Sequence, residues 1–210
     1  METLSCLTEG CDFIEEQNYN QMHRIVLGLS MMSLEEELIL HPENIDAVDA
    51  LGRTPLIWAA ARGNEHFVTF LLSAGANPNT LDKQWTGAVS YAAERDHTVC
   101  VRLLLEAGAE PDPLLPGGIK VGSALNCAAR NAIKPLVSKN LLDFGAEAEA
   151  SGVEGLTSLI HVARTDNASF AMLLLEYGAD INATSTLGQT PLTTAIAYNS
   201  HKVLQLLLDR

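Results

Sequence analysis

Residue types that often carry out enzyme chemistry are few in this chain and stand alone. The six histidines form neither an HExxH motif nor a pair four positions apart, so no zinc-binding pattern is present. The four cysteines lie 5, 89 and 27 positions apart and form no CxxC pair, which is typical of free thiols in a reducing compartment. No nucleophile beside a base can be recognised, so we expect neither catalytic residues nor a metal site nor a cofactor.

One string, GGIKVGS at 117–123, resembles a phosphate-binding loop. Gly117 and Gly122 have the spacing of that motif and Ser123 follows them, but the lysine that should precede the serine is absent, since Lys120 is misplaced. No strand is recognisable before the string either. A lengthened connection between two structural units explains the string better, and its apolar residues either fold inward or face a partner.

The charge balance restricts the class of partner. Thirteen basic and 26 acidic residues give a net charge of −13, so the phosphates of a nucleic acid would be repelled. No apolar run approaches the roughly 18–20 residues that a membrane span requires. The N-terminal stretch METLSCLTEGCDFIEE is acidic and lacks the basic start and apolar run of a secretory signal. These features favour an intracellular protein, cytoplasmic or nuclear, with no nucleic-acid or membrane partner.

The elements that must position any functional residues recur with one period. A Gly-Ala dipeptide follows a leucine-rich run at Gly75, Gly108, Gly145 and Gly178, in steps of 33, 37 and 33 positions. A triplet similar to Thr-Pro-Leu begins at Thr54, Gly87, Ser123, Thr157 and Thr190, in steps of 33, 36, 34 and 33 positions. Two independent markers with one period indicate a repeat protein, in which each unit is stabilised by its neighbours.

Each unit has the pattern of two helices. Thr54 and Thr190 are good N-caps, and the prolines that follow them suit a first helical turn, where the missing N–H is not needed. Alanine pairs in the first helix allow neighbouring helices to approach closely, and leucines of the second helix supply the core. The glycine of each Gly-Ala dipeptide ends the second helix, because glycine enters the left-handed region at little cost.

Residues 49–81, DALGRTPLIWAAARGNEHFVTFLLSAGANPNTL, resemble the ankyrin repeat nearly throughout. The histidine that this family normally carries after Thr-Pro-Leu is replaced by Ile57, and no clear repeat has it. A degenerate first unit precedes this one, because Asn20-Gln21-Met22-His23 occupies the place of Thr-Pro-Leu-His, 34 positions before Thr54. In style the sequence is similar to the ankyrin proteins of filamentous fungi.

The resemblance implies an all-α solenoid of stacked helix-turn-helix units joined by hairpin-like loops. It divides the chain into an N-terminal capping segment, 1–16, and an ankyrin repeat domain, 17–210. The expected units are 17–48, 49–81, 82–117, 118–151, 152–184 and 185–210. By the repeat pattern the last unit is incomplete, since the sequence stops within a leucine-rich helix that has no polar outer face. We therefore expect that helix to be covered by further chain or by a neighbouring molecule.

In ankyrin arrays, partners usually meet a concave face made of the first helices and of the loops, called fingers, that precede them. Carried over to this sequence, that face receives one arginine from each of four successive units: Arg62, Arg95, Arg130 and Arg164. Such a series fits acidic side chains or a C-terminal carboxylate. The alternative is neutralisation by acidic residues of the same region, namely Glu94, Asp96 and Asp166.

Further candidates lie at the finger tips and in the last unit: Arg53, Lys83, Trp85, Gln189 and Tyr198. Trp85 occupies the position that Gly52 holds in the clearest repeat. Its indole either contacts a partner, as tryptophan often does at interfaces, or folds back onto Tyr91 or the next finger. Trp58 and Tyr91 share one helix position, where they either pack or line the groove.

These features predict a non-catalytic module that binds a partner protein through a concave groove and its fingers, with an acidic segment of the partner at the arginines. The alternative is a regulatory or substrate-recruiting array of a larger enzyme or signalling protein whose catalytic domain lies outside these residues. A third possibility is an enzyme within the chain, which would require a cavity with a convergent acid, base and nucleophile.

Overall fold

The computed structural model describes residues 18–113, 123–131 and 135–210. Across those residues the chain forms twelve α-helices in six consecutive pairs and no β-strand, which confirms the expected all-α class. The first helices are α1 (Gln21–Val26), α3 (Pro55–Ala61), α5 (Ala88–Glu94), α7 (Ala124–Arg130), α9 (Ser158–Thr165) and α11 (Pro191–Ala197). The second helices are α2 (Leu34–Leu40), α4 (Glu65–Ser73), α6 (Thr98–Glu106), α8 (Pro135–Asp143), α10 (Ala168–Glu176) and α12 (His201–Leu208).

Stacking of like helices builds one continuous core. Each first helix packs against the first helix of the next pair, and from α4 onward each second helix packs against the next second helix. Alanine pairs such as Ala59-Ala60 and Ala92-Ala93 are fully buried between the first helices, where only small side chains fit. Leu71 of α4 and Leu104 of α6 fill the layer between the two helices of a pair.

The helix ends follow the polar residues at the predicted positions. Thr54 and Thr190 each accept a hydrogen bond from the backbone N–H three positions ahead, at 3.2 Å, and a proline occupies the first turn behind each of them. The second helices α4 and α10 begin in the same way at Asn64 and Asn167. The glycine after each of α4, α6, α8 and α10 has φ between 85° and 94°, as the Gly-Ala pattern predicts.

Residues at the position of the family's histidine form hydrogen bonds to the next repeat in two places. In the first repeat, His23 is fully buried, with Nδ1 2.6 Å from Oδ1 of Asn20 and Nε2 2.8 Å from the carbonyl oxygen of Arg53 in the next repeat. In the fourth repeat the corresponding residue is Asn126, whose Oδ1 accepts from the hydroxyl of Ser158 in the next repeat at 2.7 Å. An asparagine therefore joins one repeat to the next where the family carries a histidine.

Two expectations fall outside the described residues: the capping segment 1–16 and most of the GGIKVGS string at 117–123. Over the described part of the chain, no helix is both long and apolar enough to cross a membrane.

Candidate partner-binding surface

In the described part of the chain, four fingers with one backbone design precede α3, α5, α9 and α11, at residues 49–53, 82–86, 152–156 and 185–189. In each, the first residue donates its N–H to the carbonyl of the last and accepts from the N–H of the fourth. Neighbouring fingers are also joined, because Lys83 N–H donates to the carbonyl of Leu51 and Thr186 N–H to that of Glu154, both at 2.9 Å. The described finger tips therefore form two linked pairs rather than four independent loops.

Carboxylates hold the first two of these fingers rigidly against the first helices. Oδ1 of Asp82 accepts from the N–H groups of Gln84 and Thr86, at 2.8 and 2.9 Å, while its Oδ2 accepts from the hydroxyl of Tyr91 at 2.7 Å. Asp49 has the same arrangement, with the Nε1–H of Trp58 donating to its Oδ2 at 2.9 Å. Burial and the bond to Asp82 raise the pKa of Tyr91 to about 12, so its hydroxyl stays protonated.

Arg53 lies between these two anchored aromatic rings. Its guanidinium carbon is 4.9 Å from the ring centroid of Trp58 and 5.5 Å from that of Tyr91, and its Nε is 3.7 Å from Oδ2 of Asp82. Its side chain is only 19% exposed. Cation–π contacts and the ion pair bind this arginine to the finger, so its role in the described structure is to stabilise it.

Trp85 stands at the tip of the second finger with φ of 61°. The equivalent residues in the other fingers are Gly52, Gly155 and Gly188, whose φ values are 81°, 68° and 75°. A bulky residue is rarely found in this left-handed region, because its Cβ crowds the backbone. The side chain is 47% exposed, so the indole is neither buried nor in a relaxed backbone position.

Lys83 and Gln189, the two other candidates at the finger tips, are also exposed. Lys83 directs its ammonium to the carbonyl of Ala50 at 2.7 Å, which ties it to the preceding finger. Gln189 closes the last finger through its backbone, since its N–H donates to Oγ of Ser185 at 3.1 Å. Its side chain remains on the surface.

The four arginines of the concave face fall into two pairs. Arg62 and Arg95 directly follow α3 and α5 as C-cap residues, and an Nη of Arg95 donates to the carbonyl of Ala61 at 3.3 Å. Arg130 and Arg164 instead lie within α7 and α9, one position earlier in the repeat. One position along a helix rotates a side chain by about 100°, so the two pairs present their guanidinium groups differently.

The second pair reaches two different neighbours. An Nη of Arg130 donates to Oε1 of Glu94 at 2.9 Å, although the arginine side chain is still 57% exposed. The guanidinium of Arg164 lies over the ring of Tyr198, with 5.0 Å between its central carbon and the centroid. The carboxylate of Asp166 is engaged elsewhere, because its Oδ1 accepts from the N–H groups of Lys202 and Val203 at the start of α12.

Two adjoining cavities run along this face. The larger, of about 680 Å³, extends from the finger of Trp85 across α5 and α7 to the finger of Leu156. The smaller, of about 310 Å³, is lined by Arg130, His161, Arg164, Thr165 and Tyr198. Arg130 and His161 line both, so the cavities form one groove that is mainly apolar at one end and basic at the other.

The groove contains a thiol and an imidazole but no arrangement for nucleophilic catalysis among the described residues. Burial raises the pKa of Cys127 to about 11, so the thiol is protonated at neutral pH and unreactive. His161 has its pKa lowered, by burial first and by Arg164 and Arg130 next, and no hydrogen bond links it to the thiol. Across the described ranges, no three His, Cys, Asp or Glu residues are grouped to hold a metal ion.

Sequence reasoning missed His161 as a groove residue, because an isolated histidine carries no motif. The position of His161 within its repeat was the feature of the sequence that could have identified it. Trp58, Tyr91, Cys127, His161 and Thr194 each stand four positions after the start of a Thr-Pro-Leu-like triplet. Recognising that Trp58 and Tyr91 share a position was sufficient to extend the comparison to the other three.

Comparison with known proteins agrees with this architecture. A family model for ankyrin repeats, in three copies, matches residues 26–114 and 123–210. Ankyrin repeat and SOCS box protein 11 of Danio rerio is 37% identical over 115 residues, 54% of this chain and 37% of that protein. Potassium channel AKT2/3 of Arabidopsis thaliana is 31% identical over 161 residues, 76% of this chain and 19% of that protein.

B-cell lymphoma 3 protein homolog of Mus musculus is 29% identical over 199 residues, 93% of this chain. The chain spans only 19% to 37% of the length of these three relatives. The family model nevertheless covers well over half of the chain, and its two matches include the helices from α2 to α12. This chain is therefore a member of the ankyrin repeat family.

Proposed function

We propose that the chain is a non-catalytic module that binds a partner protein through the groove and the finger tips. Ankyrin repeats are generally protein-protein interaction modules, and the described surface is built for contact rather than for reaction. Its polar groups at the fingers are mostly used in anchoring the loops, and the one thiol in the groove is protonated. Shape and exposed side chains then determine what is bound.

The observation that carries this proposal is Trp85. An exposed indole in a left-handed backbone position costs stability twice, once in strain and once in apolar surface left in water. Such a residue is understandable where a partner covers it, since tryptophan is enriched among the residues that dominate interface energies. Trp85 also borders the larger cavity, so a ligand in the groove would contact it.

Site-specific crosslinking tests the proposal. A photoreactive amino acid at position 84, beside the indole, would be introduced into the intact chain in cells of its native host, and the crosslinked partner identified by mass spectrometry. We expect one dominant partner whose crosslink is lost in Trp85→Ala. Met172→Ala is the matched control, because Met172 is similarly exposed but lies on a second helix, away from the groove. A partner lost with Met172→Ala but retained with Trp85→Ala would move the binding site to the other face.

A second candidate is a regulatory or substrate-recruiting array within a larger enzyme or signalling protein. The observation that favours it is the small share of each relative that the chain matches, one of those relatives being named as a channel. Sequencing the full transcript decides whether a further domain is encoded. In either case the array itself would act by binding.

We also propose an intracellular location, cytoplasmic or nuclear. The described cysteines, Cys100 and Cys127, are unpaired thiols, and burial raises the pKa of each to about 11. Buried free thiols suit a reducing compartment. Imaging of a tagged chain tests the location, and detection in the culture medium would contradict it.

A further inference from the structure

The groove changes character along its length, and this change points to one kind of ligand. We propose that it binds an extended peptide segment of the partner in which an acidic side chain lies about three positions from an aromatic or large aliphatic one. The acidic group would enter the smaller cavity, between Arg130 and Arg164, and the apolar group the larger one. This inference rests on the proposed function and specifies the chemistry of the partner.

Positive charge converges on the smaller cavity despite the net charge of −13 of the whole chain. Arg130 uses one donor on Glu94 and is 57% exposed, which leaves most of its five N–H donors for a ligand. The guanidinium of Arg164 lies over the ring of Tyr198, a contact that consumes none of its N–H donors, so these can form a forked pair with a carboxylate. Oδ1 of Asp166 is engaged at the start of α12, and the carboxylate bound to Arg130 is that of Glu94.

The aromatic ring of Tyr198 has a clear role in this arrangement. The ring is 53% exposed and makes a cation–π contact with the guanidinium of Arg164, which consumes none of the hydrogen-bond donors of the arginine. A guanidinium that is already oriented loses less conformational entropy when it binds a carboxylate. The stacked pair is therefore preorganised for a planar anion.

The larger cavity supplies an apolar binding site at the right distance. Trp85, Tyr91 and Leu156 supply apolar surface in it, beside polar residues such as Asn126 and Glu94, and its volume of about 680 Å³ accommodates an aromatic side chain. The two cavities are offset by roughly one repeat, or about 10 Å at the spacing of packed helices. An extended peptide covers that distance in about three residues at roughly 3.3 Å each, which sets the expected spacing of the acidic and apolar groups.

The experiment selects peptides without assuming a partner. A phage-displayed library of random ten-residue peptides would be panned on the intact chain, and fluorescein-labelled copies of enriched peptides titrated by fluorescence anisotropy. We expect enriched sequences with Asp or Glu two to four positions from Phe, Trp, Tyr, Leu or Ile. Amidation of that acid, as Asn or Gln, should weaken binding at least tenfold.

Variants of the chain locate the contact. Arg164→Ala should weaken binding of the acidic peptide at least tenfold, Arg164→Lys less, because the charge remains and the forked geometry is lost. Arg130→Ala should act in the same direction, and Met172→Ala should leave the affinity unchanged. Circular dichroism spectra would verify that each variant is folded.

Four outcomes would overturn the proposal. The first two are that no peptide is enriched, or that the enriched peptides contain no acidic residue. The others are that binding survives both arginine substitutions, or that a peptide with phosphoserine in place of the acid binds more than tenfold more tightly. These failures can be separated from failure of the proposed function. Peptides whose binding depends on Trp85 but not on Arg164 would refute the proposed acidic ligand and would still support the proposed binding module. Loss of the groove as a binding site altogether would instead appear in the crosslinking experiment.

Discussion

The two halves of the concave face use one helix position in opposite ways. In the second and third repeats, that position holds Trp58 and Tyr91, each tied to the aspartate of its own finger, with Arg53 between the rings. In the last three repeats it holds Cys127, His161 and Thr194, which are smaller. The first half is filled by its own side chains, and the second half is open.

This difference shows how one repeat fold divides stability from binding. In the closed half, a cation, two aromatic rings and two carboxylates satisfy one another, so little is left to attract a ligand. In the open half, the fingers begin with Gly152 and Ser185 instead of a carboxylate, and Arg130 and Arg164 face a cavity. We therefore expect substitutions in the closed half to affect folding and those in the open half to affect binding.

The largest effect is expected for Asp82→Ala in the closed half. Asp82 is 4% exposed and holds two backbone N–H groups, the hydroxyl of Tyr91 and the guanidinium of Arg53. Its loss leaves a partly buried arginine without its ion pair and a buried hydroxyl without an acceptor. The free energy of unfolding should fall by about 3 kcal/mol, measured by urea denaturation followed by circular dichroism.

Ser185→Ala is the matched control in the open half. Ser185 closes its finger with two backbone hydrogen bonds to Oγ, at 3.3 and 3.1 Å, and contacts no charged group through them. The expected loss is about 1 kcal/mol. Equal losses in the two variants would show that the aspartate network is not what distinguishes the halves.

The next effect concerns the backbone at the boundary between the halves. Trp85→Gly should be more stable than Trp85→Ala by about 1 kcal/mol, because alanine keeps the strain at φ of 61° and glycine removes it. Gly188→Ala provides the reverse test, since a Cβ there meets no atom within 4 Å and only the positive φ of 75° opposes it. If Trp85→Gly and Trp85→Ala unfold at the same urea concentration, the backbone strain at this position is negligible. That strain would then no longer support a binding role for Trp85.

Much of this fold was predictable, because its signals are local. Thr54 with the proline after it, and Gly75 with the alanine after it, fix the start of α3 and the end of α4 through capping and φ alone. The repeat register also places Trp85 at the position that Gly52 holds in the preceding finger. The side-chain contacts were not predictable. Whether Arg53 faces a partner or two rings depends on residues 5 and 38 positions away, Trp58 and Tyr91, which no local pattern connects.

The arginine series shows a second limit. Counting along the sequence places Arg95 and Arg130 in equivalent regions of their repeats, but one follows its helix and the other lies within it. That difference of one position decides whether a guanidinium contacts the backbone of its neighbour or a cavity. Counted from the triplets, this offset is visible in the sequence, because α5 and α7 both end seven positions after Gly87 and Ser123. The contacts that each guanidinium makes are not visible there.

A smaller effect separates the buried His23 from the half-buried His161 in the pH dependence of stability. Burial lowers the pKa of both His23, in the closed half, and His161, in the open half, and Arg164 and Arg130 lower that of His161 further. The unfolded chain keeps ordinary values near 6.5 and binds more protons below that pH. Their contribution to stability is therefore complete above about pH 6.5 and is lost as the pH falls below it.

Arg164→Ala should raise the pKa of His161 and leave that of His23 unchanged, as measured by NMR titration of the imidazole protons. The charged and titratable groups at His161 are Arg164 on its own helix, Arg130, Cys127 and Glu94 on neighbouring elements, and Tyr198 at the C-cap of α11. Removing one of the two cations therefore removes one of the causes of the shift. An unchanged titration of His161 would mean that the two arginines do not act together on the smaller cavity.

The smallest expected effect on stability is that of Arg130→Ala. Its ion pair with Glu94 is exposed, with 57% and 30% of the two side chains in contact with water, and such pairs contribute about 0.5 kcal/mol or less. Arg53→Ala is the counterpart in the closed half and should cost about 2 kcal/mol, because Asp82 would lose its buried partner. Urea denaturation of both variants measures the difference. If Arg130→Ala destabilised the chain as much as Arg53→Ala, Arg130 would be a structural residue like its counterpart, and the contrast between a closed and an open half would be lost.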